Sequence, residues 1–446
     1  MMLHNSNLAA TFKVKIEKFA TAMKFIVIGI TDNPKPWFPP EVMEIIKNGK
    51  VFSGGKRHHE IVASLLPANA EWIDITAPLD AVFEQYHDEV VVFASGDPLF
   101  FGFANTIKRK MKEQREQSGA CSSSAESRLN SSVAQMPDAE IVVFPTFNSL
   151  QILAHRLVMP YHDMRIVSLT GRPWPEFDKA LIERAEKIGV LTDKEHTPTA
   201  IAQRMLEYGY SDYQMSVGEH LGNPTKEKVT TISLKEAART EFSMPNSVIL
   251  FPICCDSITT KPFGITDSDF FLLDGREKMI TKMPIRLLTL QALDLPKRHV
   301  FWDIGFCTGS VSIEARLQFP HLHIEAFEIR PECEGIIHKN ARRFGAPGIN
   351  IQIGDFLETD ITVLPCPDAV FIGGHGGKLK SIIKKVLTVL TDDGCIVMNS
   401  VKAPKVTTDS HQLWDEACQE LSLQQLPPLH IQLNDNHPIT ILKCSR

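Results

Sequence analysis

Asp303-Ile-Gly-Phe-Cys-Thr-Gly309 follows an apolar run, His299 to Ile304, and opens a helix-patterned stretch; twenty-five positions after Asp303 a second apolar run ends in Glu328. Glycines at 305 and 309 let the backbone approach a ligand closely, and the NH groups of such a turn suit the amino-acid end of a cofactor. Asp303 suits an ammonium group, directly or through water. An acid at the next strand end suits two ribose hydroxyls, which one carboxylate can accept together. Asp355, in IQIGDF after the third run, suits an adenine amino group. These positions at successive strand ends point to an open parallel sheet holding a nucleoside cofactor. The spacing of the two acids, and the sequence after them, favour S-adenosylmethionine over a dinucleotide, so methyl transfer is the expected chemistry. Cys307 stands where many such loops carry a glycine; a thiol is small enough to fit, and altered cofactor affinity is the sharper reading.

FIGGHGG, Phe371–Gly377, belongs where a fourth strand ends, over the methyl group to be transferred. Its four glycines in five residues imply close backbone approach to a ligand, with Gly373 the first of them, or several positive-φ positions. His375 among them suits an acid, a base or a hydrogen-bond donor to an acidic substrate; a solvent-exposed loop histidine is the plainer alternative. Asn399 and Ser400, at the end of the next strand, should face the same crevice. Earlier, VVFASGDPLFFGFA (Val91–Ala104) ends a strand in Gly96-Asp97-Pro98, and Asp97 can cap the helix that follows. Chemistry alone makes that a strand-to-helix turn. Lys56-Arg57-His58-His59 is the most compact basic cluster. It reads equally as a solvated helix start and as a set of donors for carboxylates. There is no Ser-His-Asp arrangement and no cluster with metal-ligand spacing, so no metal is expected.

The elements that must position these residues alternate along the whole chain. Strands are expected over 25–30, 50–53, 90–94, 141–144, 165–169, 189–192, 214–217 and 248–252, with helices over 41–48, 100–112, 149–157, 176–187 and 198–208. The second half reads as helix 283–293, strand 299–304, helix 310–318, strand 323–329, helix 332–344, strands 349–353 and 368–372, helix 378–390 and strand 395–400. It closes with two strands joined at Asn434-Asp-Asn-His. Short β-rich runs between helices predict α/β layers with mostly parallel strands. Residues 112–138, rich in Ser, Gln and Glu without apolar period, read as a mobile surface loop. Residues 1–22 read as a disordered extension before Met23, residues 23–254 as one domain, 255–264 as a linker and 265–446 as a second domain.

At 446 residues the chain is too long for one ordinary core. With 43% hydrophobic and 22% charged residues it is globular in composition, and a net charge of -6 gives no general pull towards nucleic acid. The nine cysteines include no CxxC pair and read as reduced thiols of a cytoplasmic protein. No apolar run approaches the ~20 residues that span a bilayer, so no membrane partner is expected.

Residues 264–446, through GITDSDF, ITKMPIR, WDIGFCTGSVSIEA, FIGGHGG and VMNSV, resemble the decarboxylating methyltransferase domain of cobalamin biosynthesis. The first half, through SGGKRHHE, GDPLFFG, PTFNSLQILAHRL, SLTGR, GVLTDKEHTP and VGEHLGNPTKEKV, resembles the tetrapyrrole methylase superfamily. The resemblance implies an α/β protein with a two-lobed tetrapyrrole methylase fold followed by a seven-stranded Rossmann-like methyltransferase fold. It implies an S-adenosylmethionine site in each. The first would lie between the lobes on Gly96, Asp97 and Leu99, with Thr146, Thr192 and Gly218 as further contacts. The usual glycine-rich opening of that superfamily is reduced here to Gly29-Ile-Thr-Asp-Asn-Pro-Lys-Pro. The implied reaction methylates two meso carbons, C5 and C15, of a corrin precursor and removes carbon dioxide from an acetate side chain. Lys56, Arg57, His58, Lys282 and Arg286 would meet the carboxylates of this tetrapyrrole substrate. Relatives of the second half associate, so a homo-oligomer through that half is expected. The competing readings are an RNA methyltransferase and a non-catalytic regulator that binds S-adenosylmethionine.

Overall fold

The computed structural model describes residues 23–119, 139–254, 261–274, 276, 279–401, 410–433 and 438–446. The expected extension over 1–22, residues 255–260 of the expected linker and the turn at 434–437 lie outside the described residues. Among the described residues the strands form three sheets.

The first sheet takes β1 (Lys24–Ile30), β2 (Val51–Gly54), β3 (Glu71–Asp74), β4 (Glu89–Ser95) and β5 (Glu140–Phe144) in the order β3-β2-β4-β1-β5, all parallel. Its central strands, KFIVIGI and EVVVFAS, are near-continuous apolar runs because both faces are covered. Phe25, Val27 and Val92 pack on one face, and Ile26, Ile28 and Phe93 on the other. This parallel register brings the loops after β1, β4 and β5 to one edge.

The second sheet takes β6 (Arg165–Ser168), β7 (Ile188–Leu191), β8 (Tyr213–Glu219), β9 (Lys228–Ser233) and β10 (Asn246–Pro252) in the order β6-β7-β10-β8-β9. Here the expectation of mostly parallel strands fails. Only β6 and β7 run parallel; β10 returns antiparallel between β7 and β8, and β9 folds back on β8 after the loop 220–227. Antiparallel neighbours need no covering crossover helix, and β9 is correspondingly half exposed.

The third sheet takes β11 (Val300–Ile304), β12 (His323–Glu328), β13 (Ile349–Ile353), β14 (Ala369–Ile372), β15 (Cys395–Val401), β16 (Gln424–Gln425), β17 (Leu429–Ile431) and β18 (Ile439–Ser445). Its order is β13-β12-β11-β14-β15-β18-β16, with β17 also on β18; β13 to β15 are parallel and β18 is antiparallel to β15. Chain order reverses at β11, which has β12 on one side and β14 on the other. That switch point is where an open parallel sheet leaves a crevice at its carboxyl edge. Trp302, Ile304, Val370 and Ile396 fill one face of the sheet and Phe301, Phe371 and Val397 the other.

Two other expectations change. Residues 112–119 continue the helix Phe103–Gly119 rather than starting a loop, its polar run carried by Arg109–Glu113 and Lys112–Glu116 pairs one turn apart; residues 120–138 lie outside the described residues. A helix over Ser410–Glu420, which buries Trp414, had no counterpart in the sequence reading.

Candidate functional site

The carboxyl ends of β11, β12, β13 and β14 open into one cavity of about 960 Å³. Asp303, Gly305, Cys307, Glu328, Asp355, Gly373 and His375 all line it. Gly305 has φ +82°, and a Cβ there would fall 2.8 Å from the Gly374 nitrogen; a Cβ on Gly373 would fall 2.9 Å from the Gly305 carbonyl. The two glycine loops therefore touch, backbone on backbone, at the floor of the cavity. Gly309 is different. It has φ +74° at the start of helix Ser310–Gln318, where a Cβ would strike Ile337 at 2.3 Å, and it does not line the cavity. The missing side chain lets the turn pack on helix Glu332–Phe344, between Thr308 and Ser310, which do line the cavity. Cys307 adopts a left-handed φ of 51°, the geometry that explains why a glycine is usual there, and burial pushes its thiol pKa up.

Asp303 is fully buried. Ser312 Oγ donates to its Oδ2 at 2.5 Å, while Oδ1 has no partner, and burial pushes its pKa up to about 7. A buried carboxylate oxygen without a partner, on the wall of a cavity, fits a cationic ligand group. Glu328 is 3% exposed and already fully engaged. Arg330 donates from Nε at 2.9 Å, Nη2 at 2.7 Å and its backbone at 3.1 Å, and the Cys307 nitrogen donates at 3.0 Å. Burial acts to raise its pKa, but the Arg330 bonds and charge outweigh it and hold the carboxyl below its usual range. Asp355 Oδ2 accepts from Lys378 Nζ at 2.9 Å, which lowers its pKa, and Oδ1 accepts from the Leu357 nitrogen. His375 Nδ1 accepts from the Gly377 nitrogen at 3.2 Å, which leaves Nε2 carrying the proton, 3.4 Å from Ser410 Oγ. Burial lowers its pKa, so it is a neutral donor at pH 7.

Of the two cations proposed for substrate here, Lys282 lines the cavity and is 43% exposed at its side chain, 3.6 Å from Asp267. Arg286 is not available. It is 0% exposed and donates to Glu314 Oε2, Asp267 Oδ1 and the carbonyls of Thr281 and Ile265. Every arm of the guanidinium is used inside the fold. Asn399 lines the cavity and bonds Thr289, whereas Ser400 is buried on the opposite face of β15, as strand alternation requires.

In the first half, the loops after β1, β4 and β5 converge. A Cβ on Gly29 would fall 2.1 Å from the Gly96 carbonyl and 2.9 Å from the Thr146 nitrogen. Gly96 has φ +62°, and Asp97 Oδ1 accepts from the Leu99 nitrogen at 2.9 Å. Leu99, Phe101 and Phe147 are exposed beside them, an unusual grouping of large apolar side chains. The altered opening loop contributes Asp32, which accepts from Arg57 at 2.6 Å and faces His220 Nδ1 at 3.2 Å, tying the first lobe to the second. Thr192 and Gly218 lie on β7 or just beyond it and on β8, with β10 between. Thr192 Oγ1 donates to the Asn246 carbonyl and side chain, and a Cβ on Gly218 would meet Leu221 at 2.7 Å. Lys56 is exposed and Arg57 half-exposed. His58 departs from its expected role as a cation: burial and the Arg57 charge push its pKa down to about 4, and its Nε2 bonds Ser95 Oγ. Sequence reading missed Arg330, Lys378 and Asp32. The first two had a signal in their adjacency, one to Glu328 and the other to the four-glycine loop.

Among the described residues no cluster of His, Cys, Asp and Glu could hold a metal, and no helix is long and apolar enough to cross a membrane. The precorrin methyltransferase domain family matches residues 269–430. The precorrin-6Y C(5,15)-methyltransferase (decarboxylating) of Sinorhizobium sp is 31% identical over 84% of this chain and 84% of its own length. The cobalt-precorrin-6B C(15)-methyltransferase (decarboxylating) of Salmonella typhi is 33% identical over 40% of this chain and 95% of its own. A crystal structure of precorrin-6Y C5,15-methyltransferase from Geobacter metallireducens is 31% identical and covers 41% of this chain and 97% of that one, with a TM-score of 0.36. A parallel sheet with this cavity, in a chain with these relatives, defines an S-adenosylmethionine-dependent methyltransferase. The chain belongs to the precorrin-6Y C(5,15)-methyltransferase (decarboxylating) family.

Proposed function

We propose that this protein methylates C5 and C15 of precorrin-6Y, or of its cobalt form, and removes carbon dioxide from an acetate side chain, using two cofactor sites on one chain. Family membership makes it a C-methyltransferase of cobalamin biosynthesis that couples methylation to decarboxylation. Residues 23–254 form a two-lobed tetrapyrrole methylase domain that alkylates one meso carbon. Residues 265–446, whose sheet has eight strands rather than the seven expected, form a methyltransferase domain that alkylates the other and decarboxylates. A homo-oligomer forms through the second half.

The observation that carries the second site is the partnerless Asp303 Oδ1 in the wall of the cavity, above two glycine loops whose backbones a Cβ would part. Bound S-adenosylmethionine supplies an electrophilic methyl group. Asp303 would hold its ammonium group, Glu328 its ribose hydroxyls, and Gly305 and Gly373 would let its chain lie against backbone. Lys282 stands at the cavity for a substrate carboxylate, and His375 Nε2 is placed to give a hydrogen bond to it. The chain's contribution to rate is placement: fixing reacting atoms in line is worth up to ~7–11 kcal/mol. In the first half, Gly96, Asp97 and Leu99 would hold the second cofactor. The exposed Leu99, Phe101 and Phe147 suit the flat face of a macrocycle, with Lys56 and Arg57 for its carboxylates.

Incubation with labelled S-adenosylmethionine and either an acidic corrin precursor or total RNA tests the reading. Two methyl groups and one carbon dioxide per precursor are expected; transfer to RNA alone would sink it. His375→Ala should slow the second half's reaction at saturating cofactor, and full rates for both steps would remove His375 from the mechanism.

A further inference from the structure

Helix Pro175–Ile182 and the segment from helix Pro198–Glu207 to Tyr210, both in the first half, meet helix Glu332–Phe344 and the turn 345–348 of the second. Ile182, 1% exposed, belongs to the same core cluster as Phe270, Ile337 and Ala341, and Tyr208 packs against it. Tyr210 is 1% exposed, and its hydroxyl donates to the Gly345 carbonyl at 2.7 Å. Asp178, also 1% exposed, accepts two bonds from Arg204 at 2.7 and 2.6 Å. Arg316 of the second half comes up beneath it. Its Nε and Nη1 bond the carbonyls of Pro347, Pro320 and Leu322, and its buried Nη2 has no hydrogen-bond partner. Gly348 sits at the junction: with φ +83°, its Cβ would fall 2.9 Å from Asp178 Oδ2 and 3.0 Å from Arg316 Nη2. At the rim, Arg342 pairs with Glu207 at 2.7 Å.

Such a contact is not how loosely tethered domains meet. A carboxylate and a guanidinium taken out of water are tolerated only where each faces opposite charge or hydrogen-bond partners. Here Asp178 would keep its Arg204 bonds but lose the Arg316 charge without the second half, and the Gly345 carbonyl would lose its donor without the first. The same surface reaches a cofactor cavity. Asn340, two residues before Arg342 on that helix, is 0% exposed and donates to the carbonyl of Thr308 in the glycine turn at 2.9 Å. Ile337, one turn earlier, is the side chain on which Gly309 packs. One helix therefore carries the docking contacts at its end and the supports of the cofactor turn along its length.

We propose that this face is a standing docking surface whose partner is the other half of the same chain, and that it keeps the two halves together whether or not the linker is intact. The test uses the full-length protein with a protease recognition sequence placed between Cys254 and Lys261. After cutting, gel filtration at micromolar concentration should return both fragments in one peak at the position of the uncut chain. Two separate peaks would overturn the proposal. To locate the contact, the dissociation constant of the cut pair is measured for Tyr210→Phe, which removes one buried hydroxyl, and for Gly348→Val, which puts a side chain between Asp178 and Arg316. Either variant that keeps its helical signal should weaken the pair at least fivefold. Unchanged affinity in both would show that the halves are held elsewhere and would equally overturn it.

Discussion

Asp303 is the sharpest place to test the site, because its proton is predicted to report on both stability and cofactor. The carboxyl is fully buried and its pKa stands at about 7 against 3.8 when exposed, chiefly through burial. The folded protein therefore holds this proton more tightly than the unfolded chain. The stability so gained is complete below about pH 4, declines as pH rises and is lost above about 7. The slope is ~1.36 kcal/mol per pH unit within that window, so moving the ligand-free protein from pH 5 to pH 8 should cost about 3 kcal/mol from this residue alone. Asp303→Asn keeps the shape, can still accept from Ser312, and carries no proton to lose. Urea unfolding of wild type and variant at pH 5, 6, 7 and 8 isolates the contribution as the difference between the two pH profiles. Parallel profiles would refute the argument that burial, rather than an unseen partner, governs Asp303. A second reading of the same residue is calorimetric: at pH 6 a cationic ligand beside Oδ1 should displace about one proton on binding. That release should vanish in the variant.

Three further outcomes follow from geometry. Arg286→Ala should cost ~3–5 kcal/mol of stability because Glu314 is left buried without its counter-charge, holding only the Gly264 and Ile265 nitrogens, whereas Lys282→Ala should leave the melting temperature nearly unchanged and raise KM for substrate; equal melting curves for both would contradict the division. Arg330→Gln should destabilise the ligand-free protein by ~1.5–3 kcal/mol at pH 7, and by less at pH 4, where Glu328 can take a proton in place of its lost partner; thermal melts at the two pH values decide it. Gly305→Ala forces a side chain against the Gly374 backbone at a left-handed φ, and should cut S-adenosylhomocysteine affinity at least tenfold by calorimetry.

The sheet carrying the second site was legible because period and punctuation agree along it. Nearly every strand and helix from 283 to 401 lies within a few residues of its expected bounds, and the residues at the strand ends do line one cavity. What the sequence could not display was pairing at long range. Arg286 sits beside a cavity-lining lysine in the chain, yet its partner Glu314 is twenty-eight positions away on a helix that buries every residue from Ser310 to Leu317. A helix that buries an acid and an arginine among apolar neighbours is itself the clue that those charges serve the core. Gly309 is hard to read for a related reason: a positive φ, a close helix and a cofactor contact all select glycine, and the approach of Ile337 is visible only in the fold. In the first half, β3 and β9 escaped because each offers few apolar residues, and the antiparallel course of the second sheet depends on where β10 inserts, which no local pattern records.

Glu328 and Arg330 give the cavity of the second half a resident occupant. With four donors on the carboxylate, a pair of ribose hydroxyls bound there would not fill an empty acceptor; it would take the place of a guanidinium already seated there. Binding becomes an exchange, and its strength is the difference between two sets of hydrogen bonds. An exchange runs as easily backwards. With the proposed contact, Arg330 would return to the carboxylate as the nucleoside lifts away, so departure would not expose a bare buried charge. The arrangement trades tightness of grip for ease of turnover, which suits an enzyme that consumes one cofactor molecule for every methyl group it delivers.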